Sequence, residues 1–175
     1  MPDAAYYHDQ GFNCCEAVLS GMCDYLGIQA DIVPRIATGF GGGLGHTGNI
    51  CGAVTGAVMA LGLKYGRNRS EEKEIRNSLC HLVEQFLDRV KQKIGGIQCF
   101  ELIGVRLNTE EGMAVYREQH LRRRCHDIIE QVEAIAREFI NNPNLPFMAG
   151  PTFHRKIQPD CPIISGVRCP GRLED

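Results

Sequence analysis

Five glycines fall within the seven positions 39 to 45, and this run constrains the fold more than any other feature of the sequence. Glycine lacks a Cβ, so it adopts left-handed backbone conformations and lets other groups approach closely, but it destabilises regular helices and strands. The run therefore predicts an irregular loop between regular elements. Asn49 follows this loop and is a candidate N-cap for the next helix.

Hydrophobic residues on both sides of the loop recur at helical spacing. The pattern predicts helices over 14–26, 31–38, 50–63, 71–94 and 109–140, and a short turn at 99–103. The candidate N-caps are Asn13, Asp31, Asn49, Ser70 and Thr109, and Gly27 and Gly95 are candidate terminators. No segment alternates like a strand, so we expect an all-α fold, a compact bundle of four to five helices with a Gly-rich loop. Helix 50–63 is expected at its centre, because its glycines and alanines allow neighbouring backbones to come close.

The end of the chain has a different composition. Six of the eight prolines lie between positions 143 and 170, and the helical periodicity stops near Asn141. Proline removes a backbone N–H and disfavours helix in the residue before it. We therefore expect a single helical domain over 1–140, followed by an extended Pro-rich tail over 141–175.

Charge and hydropathy exclude two classes of partner. The formal net charge is −2, so no overall field draws the chain toward nucleic acid or an anionic membrane surface. The most apolar stretch, 50–63, is shorter than the roughly 20 residues that a membrane-spanning helix needs. Residues 1–10 are polar and lack the apolar core of a secretion signal. We expect a cytoplasmic protein that binds neither nucleic acid nor membrane.

Nine cysteines are the chemically conspicuous feature: positions 14, 15, 23, 51, 80, 99, 125, 161 and 169. Their odd number and the expected reducing compartment argue against a disulfide framework. Cys14, Cys51 and Cys99 fall at predicted helix starts, where the partial positive charge favours a thiolate. The alternative is that these thiols are small buried packing groups.

The cysteines stand in a recognisable set of motifs. Residues 51–56 read Cys-Gly-Ala-Val-Thr-Gly, a CGAxxG motif that follows the Gly-rich loop. Asn13-Cys14 stands upstream, and Cys99 with Glu101-Leu102 and then Cys125 stand downstream. Over roughly residues 10 to 135 the chain resembles the C_GCAxxG_C_C family of redox-active proteins, which is known for four cysteines.

The resemblance implies that the four family positions are Cys14, Cys51, Cys99 and Cys125. Cys15 makes the first assignment ambiguous, and Cys14 is preferred because it directly follows Asn13 and shares a helical stripe with Val18. The remaining cysteines, Cys23, Cys80, Cys161 and Cys169, fall outside the family pattern.

Three redox or metal functions remain open for four converging thiols, and the first is favoured. They are an iron–sulfur or other metal centre for electron transfer, a thiol–disulfide oxidoreductase without metal, and a structural zinc site, which the lack of a Cys-x-x-Cys pair disfavours. For the metal centre we expect Gly41, Gly42 and Gly43 to offer backbone N–H groups to the sulfurs. For thiol exchange we expect Cys51 to attack and Cys14 or Cys99 to resolve.

A helical binding or scaffold protein with buried structural cysteines is the non-redox alternative. The sequence identifies no redox partner protein, and a homodimer across a helix of small residues stays open. Residues 43–48 match GxGxxG, but the βαβ context of a dinucleotide site is missing, so we expect no NAD. No Cys-x-x-Cys-His is present, so we expect no c-type haem.

Overall fold

The computed structural model describes residues 1–142, and within this range the chain forms helices and no strand, which confirms the all-α prediction. The elements are α1 (Ala4–Asp9), α2 (Cys14–Leu26), a 3-10 helix (Arg35–Phe40), α3 (Gly52–Tyr65), α4 (Lys73–Ile94), α5 (Cys99–Ile103), α6 (Glu110–Glu118) and α7 (Arg122–Asn141). Five of these helices, α1, α2, α3, α4 and α7, pack together as the bundle, and the shorter elements connect them. Most of the predicted tail over 141–175, with Cys161 and Cys169, lies outside the described residues.

Helices α2 and α3 form the centre of the bundle, as the small residues of α3 predict. A Cβ at Gly56 would lie 2.8 Å from the carbonyl oxygen of Cys15, so only glycine permits this approach of the two backbones. Helices α1, α4 and α7 pack around this pair, and α7 contacts α1, α2, α3 and α4. Among residues 1–142, no helix is both long and apolar enough to cross a bilayer.

Helix α2 begins and ends where the sequence predicts. The side chain of Asn13 accepts hydrogen bonds from the N–H groups of Cys15 and Glu16, and the Glu16 side chain accepts one from the N–H of Asn13. This reciprocal capping box satisfies N–H groups that lack partners inside the helix. Gly27 ends α2 with a left-handed conformation (φ 66°), as expected.

Other helix starts differ from the prediction. Thr109 caps α6 as expected, but Asn49 does not cap α3. The backbone of Asn49 instead makes two hydrogen bonds outside α3. Its carbonyl accepts one from the N–H of Cys99, and its N–H donates one to the carbonyl of Gly43. Cys51 is the N-cap of α3. Asp31 and Ser70 cap no helix either, because the 3-10 helix begins only after Pro34 and α4 only after Glu72.

The predicted helix 109–140 is divided in two. Helix α6 ends at Glu118 and α7 begins at Arg122, and between them His120 has a left-handed backbone (φ 53°). Neither glycine nor proline marks this break, so the sequence offered no signal for it. As a result, Cys125 lies in the first turn of α7 and not in the middle of a long helix.

Candidate functional site

The Gly-rich loop forms a tight left-handed turn beside two of the predicted cysteines. Positive φ angles run through Gly42, Gly43, Leu44, Gly45 and His46. A Cβ at Gly43 would lie 2.6 Å from the carbonyl oxygen of Asn49 and 2.8 Å from the Cβ of Cys99. Glycine is therefore required at position 43 for conformation and for space, and the loop holds Cys99 against its inner side.

A single antiparallel bridge joins the segment before α3 to the segment before α5. Ile50 pairs with Gln98 in this bridge. The N–H of Cys51 donates to the carbonyl oxygen of Ile97 (2.8 Å), and the N–H of Cys99 donates to the carbonyl oxygen of Asn49 (2.7 Å). This bridge fixes Cys51 beside Cys99 although the two are far apart in sequence. The pairing is too short to leave a strand pattern in the sequence.

Cys14 is brought to the same place by the close approach of α2 and α3. A Cβ at Gly52 would lie 3.1 Å from the Cβ of Cys14 and 3.0 Å from the backbone nitrogen of Cys15. Since Gly52 directly follows Cys51, the start of α2 lies against the start of α3. Glycine in the CGAxxG motif thus allows Cys14 and Cys51 to be neighbours.

Cys125 completes the group and interacts most directly with Cys14. The interaction between the Cys14 and Cys125 side chains lowers the pKa of Cys125 and, together with burial, raises that of Cys14. The hydroxyl of Tyr116 also donates to the Cys125 sulfur, with an oxygen–sulfur distance of 3.7 Å, and Arg122 lowers the pKa of Cys125 further. Of the pair, Cys125 is therefore the thiol that ionises first, with a pKa lowered to about 7.

The other two thiols are held in the protonated form. Burial raises the pKa of Cys51 to about 11, although the backbone N–H groups of Ala53 and Val54 oppose this effect. Burial raises the pKa of Cys99 to about 12, and the neighbouring Cys51 and Cys125 add to the shift. The pKa of Cys14 is likewise raised by Cys51, Cys125 and Cys99. Each of the four sulfurs thus lies within electrostatic reach of the others.

All four cysteines lie at helix starts. Cys14 and Cys99 are the first residues of α2 and α5, Cys51 is the N-cap of α3, and Cys125 lies in the first turn of α7. The first N–H groups of a helix carry partial positive charge, which favours nearby thiolates. The effect requires several aligned peptides, so it applies to α2, α3 and α7 and not to the five-residue α5.

The other cysteines and the three loop glycines named in the sequence analysis lie partly beside the four-cysteine cluster and partly elsewhere in the fold. Cys15 is fully buried and its sulfur accepts a hydrogen bond from the Thr55 hydroxyl (3.5 Å), so it belongs to the α2–α3 contact. Cys23 is buried and Cys80 is exposed. Among the three loop glycines, Gly41 lies against Asn13, Gly42 against His46 and Gly43 against Cys99.

A cleft of about 720 Å³ opens beside Cys125, and the sequence analysis did not predict it. It is lined by His8, Asp9, Tyr116, Arg117, His120, Arg122, Arg123, His126, Asp127 and Glu130. In the sequence, Tyr116 fits the apolar stripe of the predicted helix 109–140, and the arginine run at 122–124 is typical of a solvated helix face. Tyr116 and Arg122 line the same cleft across the break at 119–121, so no local pattern would have revealed it.

Among residues 1–142, three side chains of the types that bind metal ions lie close together. They are His126, Asp127 and Glu130, whose ligand atoms all lie within 4.8 Å of one another. The four cysteine sulfurs do not form such a group. They are therefore spread more widely than the sulfurs of a tetrahedral zinc site, where Zn–S bonds of about 2.3 Å give separations of about 3.8 Å.

Comparison with known proteins gives one match. A family model described as "Putative redox-active protein (C_GCAxxG_C_C)" matches residues 12–139, which is more than half of the chain and includes all four clustered cysteines. No curated protein and no solved structure is significantly similar to the chain.

Proposed function

The chain belongs to the C_GCAxxG_C_C family of redox-active proteins, and we propose that Cys125 and Cys14 act as a dithiol pair that exchanges with disulfides. The interaction between these two thiols, which lowers the pKa of Cys125 to about 7 and raises that of Cys14, carries the proposal, because a dithiol catalyst needs an attacking thiolate with a second thiol near it. The contact of Tyr116 with Cys125 and the cleft beside it support the same assignment.

The exchange proceeds in two balanced steps. The Cys125 thiolate attacks one sulfur of a substrate disulfide, forming a mixed disulfide and releasing the other substrate sulfur as a thiolate. Cys14 then gives its proton to the thiolate released in the first step, and its own thiolate attacks the Cys125 sulfur to form a Cys14–Cys125 disulfide and release the second substrate thiolate. The substrate disulfide is reduced and the protein dithiol is oxidised by the same two electrons.

Cys125 is a better candidate for the attacking thiol than Cys51, the residue expected from the sequence. The Cys51 thiol has its pKa raised to about 11 by burial, so only a small fraction is thiolate near neutral pH. The interaction with Cys14, the Tyr116 hydroxyl and Arg122 act in the opposite direction at Cys125. Because the thiolate is the nucleophile, the environment favours Cys125. A free dithiol also requires a reducing compartment, so we propose that the protein works in the cytoplasm.

Reduction of a small neutral disulfide, with mass analysis of the protein, tests the exchange. We expect Cys125→Ser to abolish the reaction and Cys14→Ser to stop it at a mixed disulfide on Cys125. Cys80→Ser, at an exposed cysteine outside the cluster, is the matched control and should react like the parent protein. Retention of the full rate in Cys125→Ser would overturn the proposal.

An iron–sulfur cluster is the second candidate, because all four thiols lie within electrostatic reach of one another. Four thiolates in one buried place would repel each other, and a cationic centre would relieve that repulsion. Cys14, Cys51, Cys99 and Cys125 would be its ligands. The wide sulfur spacing suits a polynuclear cluster better than one tetrahedral ion. When bound, such a cluster supplies one-electron transfer at a potential set by burial and by hydrogen bonds to sulfur.

Substitution of the two thiols outside the dithiol pair separates the candidates. Iron and acid-labile sulfide are measured on anaerobically purified protein, together with the disulfide reduction assay. If a cluster is the functional centre, Cys51→Ser and Cys99→Ser should each lose iron and sulfide. If the dithiol is the centre, both variants should retain exchange between Cys125 and Cys14.

A further inference from the structure

The cleft beside Cys125 carries charges of both signs on separate side chains. Arg117, Arg122 and Arg123 line it, and among the described residues none of the three forms an ion pair with a carboxylate. Arg122 donates a hydrogen bond to the carbonyl oxygen of His8. Unpaired guanidinium groups around one concavity are suited to bind carboxylates, which they can engage through two parallel N–H donors.

Three acidic side chains line the same cleft. Asp9 and Glu130 lie on either side of the His126 ring, with oxygen–nitrogen distances of 3.5 and 3.9 Å, and Asp127 is adjacent. These carboxylates provide acceptors for an ammonium group. A ligand that carries both a carboxylate and an ammonium group would therefore find complementary charges within one cleft.

The cleft also leads toward the proposed attacking sulfur. Tyr116 lines the cleft and its hydroxyl contacts the Cys125 sulfur, so one side chain stands between the two. Cys125 itself is only 6% exposed. Tyr116 is half-buried, so attack on a ligand in the cleft requires its side chain to move aside. A ligand held in the cleft is thus placed beside Cys125.

We infer that this cleft binds a small disulfide bearing both carboxylate and ammonium groups, such as the disulfide of an amino-acid thiol, and presents it to Cys125. This inference rests on the proposed dithiol function. The volume of about 720 Å³ lies within the range of small-ligand sites. The disulfide is itself the oxidant: Cys125 bonds to one of its sulfurs, the other leaves as a thiolate, and Cys14 completes the reduction.

Four small disulfides that carry different charged groups test the inference. The probes are cystine, with both groups, dithiodipropionate, with carboxylates, cystamine, with ammonium groups, and bis(2-hydroxyethyl) disulfide, which is neutral. Each rate with the protein is divided by the rate with a small reference thiol, because the leaving thiol alters intrinsic reactivity. We expect the normalised rate for cystine to exceed that for the neutral disulfide about tenfold, with the other two between them.

A double variant, Arg117→Gln with Arg123→Gln, removes two exposed guanidinium groups from the cleft. It should lower the cystine-to-neutral ratio to about the ratio of cystamine to the neutral disulfide, because the acidic side chains that accept the ammonium group remain. Arg76→Gln, at an exposed arginine of α4 that does not line the cleft, should leave the ratio as in the parent protein. Equal normalised rates for all four probes, or a ratio unchanged by the double variant, would overturn the inference and leave the dithiol proposal standing. Failure of every probe, including the neutral one, to form a mixed disulfide in Cys14→Ser would overturn both.

Discussion

The hydroxyl of Tyr116 donates a hydrogen bond to the sulfur of Cys125 across 3.7 Å, although Tyr116 lies in the last turn of α6 and Cys125 in the first turn of α7. This contact spans the break between α6 and α7, which no sequence pattern predicted. It joins the cleft to the cysteine cluster, and it stabilises the charged form of Cys125 together with Cys14 and Arg122.

Replacement of Tyr116 by Phe should raise the pKa of Cys125. The substitution removes one donor to the thiolate and keeps the ring, so the cleft retains its shape. The pH dependence of Cys125 alkylation in a Cys80→Ser background measures the change, and the midpoint should move to higher pH. Tyr25→Phe, which removes a hydroxyl bonded to Asn141, is the control. An identical midpoint in Tyr116→Phe would show that the hydroxyl does not act on the thiolate.

Alanine substitutions at Gly43 and Gly45 should differ in their effect on stability. Both residues have a left-handed backbone, with φ of 72° and 61°, which costs a residue with a Cβ about 1 kcal/mol. A Cβ at Gly43 would also meet the backbone of Asn49, whereas one at Gly45 would meet nothing within 4 Å. Urea unfolding should therefore show a loss of about 1 kcal/mol for Gly45→Ala and clearly more, on the order of 3 kcal/mol, for Gly43→Ala. Equal losses of unfolding free energy in the two variants would mean that the backbone of Asn49 can move away from a Cβ at position 43.

Two glycines in α3 offer a second matched pair, with effects of opposite sign. A Cβ at Gly56 would lie 2.8 Å from the carbonyl oxygen of Cys15, so Gly56→Ala should force α2 and α3 apart and lower the free energy of unfolding by roughly 1–3 kcal/mol. A Cβ at Gly62 would meet nothing within 4 Å, so Gly62→Ala should raise that free energy by about 0.5–1 kcal/mol through helix propensity. Denaturant midpoints compare the two, and stabilisation by Gly56→Ala would contradict the close helix contact.

His8 should make the fold less stable in mild acid. Burial, followed by the positive charge of Arg122, lowers the pKa of His8 to about 4, and its Nδ1 has no hydrogen-bond partner among the described residues. The unfolded chain, with a His pKa of about 6.5, binds more protons between these two values. The free energy of unfolding should thus fall as the pH drops from about 6.5 to about 4, by roughly 3 kcal/mol from this group.

The slope of stability against pH isolates this effect. His8→Gln should flatten the slope over that window, whatever its effect at neutral pH. His81→Gln, at an exposed histidine of α4, should keep the slope of the parent protein. A slope that is the same in His8→Gln and the parent would refute the role of His8.

The helical architecture and the identity of the four cysteines were available from local patterns. The asparagine and glutamate of the α2 capping box stand three residues apart, and the apolar period of α4 runs unbroken to Gly95. The CGAxxG motif pointed to the family, and its match to residues 12–139 confirms that assignment. Such features depend on residues within a few positions of one another, where backbone propensity and capping decide the outcome.

Relationships between distant segments were decided only by the tertiary structure. The Ile50–Gln98 bridge places Cys51 beside Cys99, and the unmarked break before Arg122 places Cys125 beside Cys14 and Tyr116. The pKa of each thiol follows from these contacts and from burial, which raise the pKa of Cys51, the attacking residue expected from the sequence, and leave that of Cys125 lowered. The sequence determined which thiols are present and where helices form. Only packing determined which thiol keeps its proton, because that depends on neighbours that chain order does not specify.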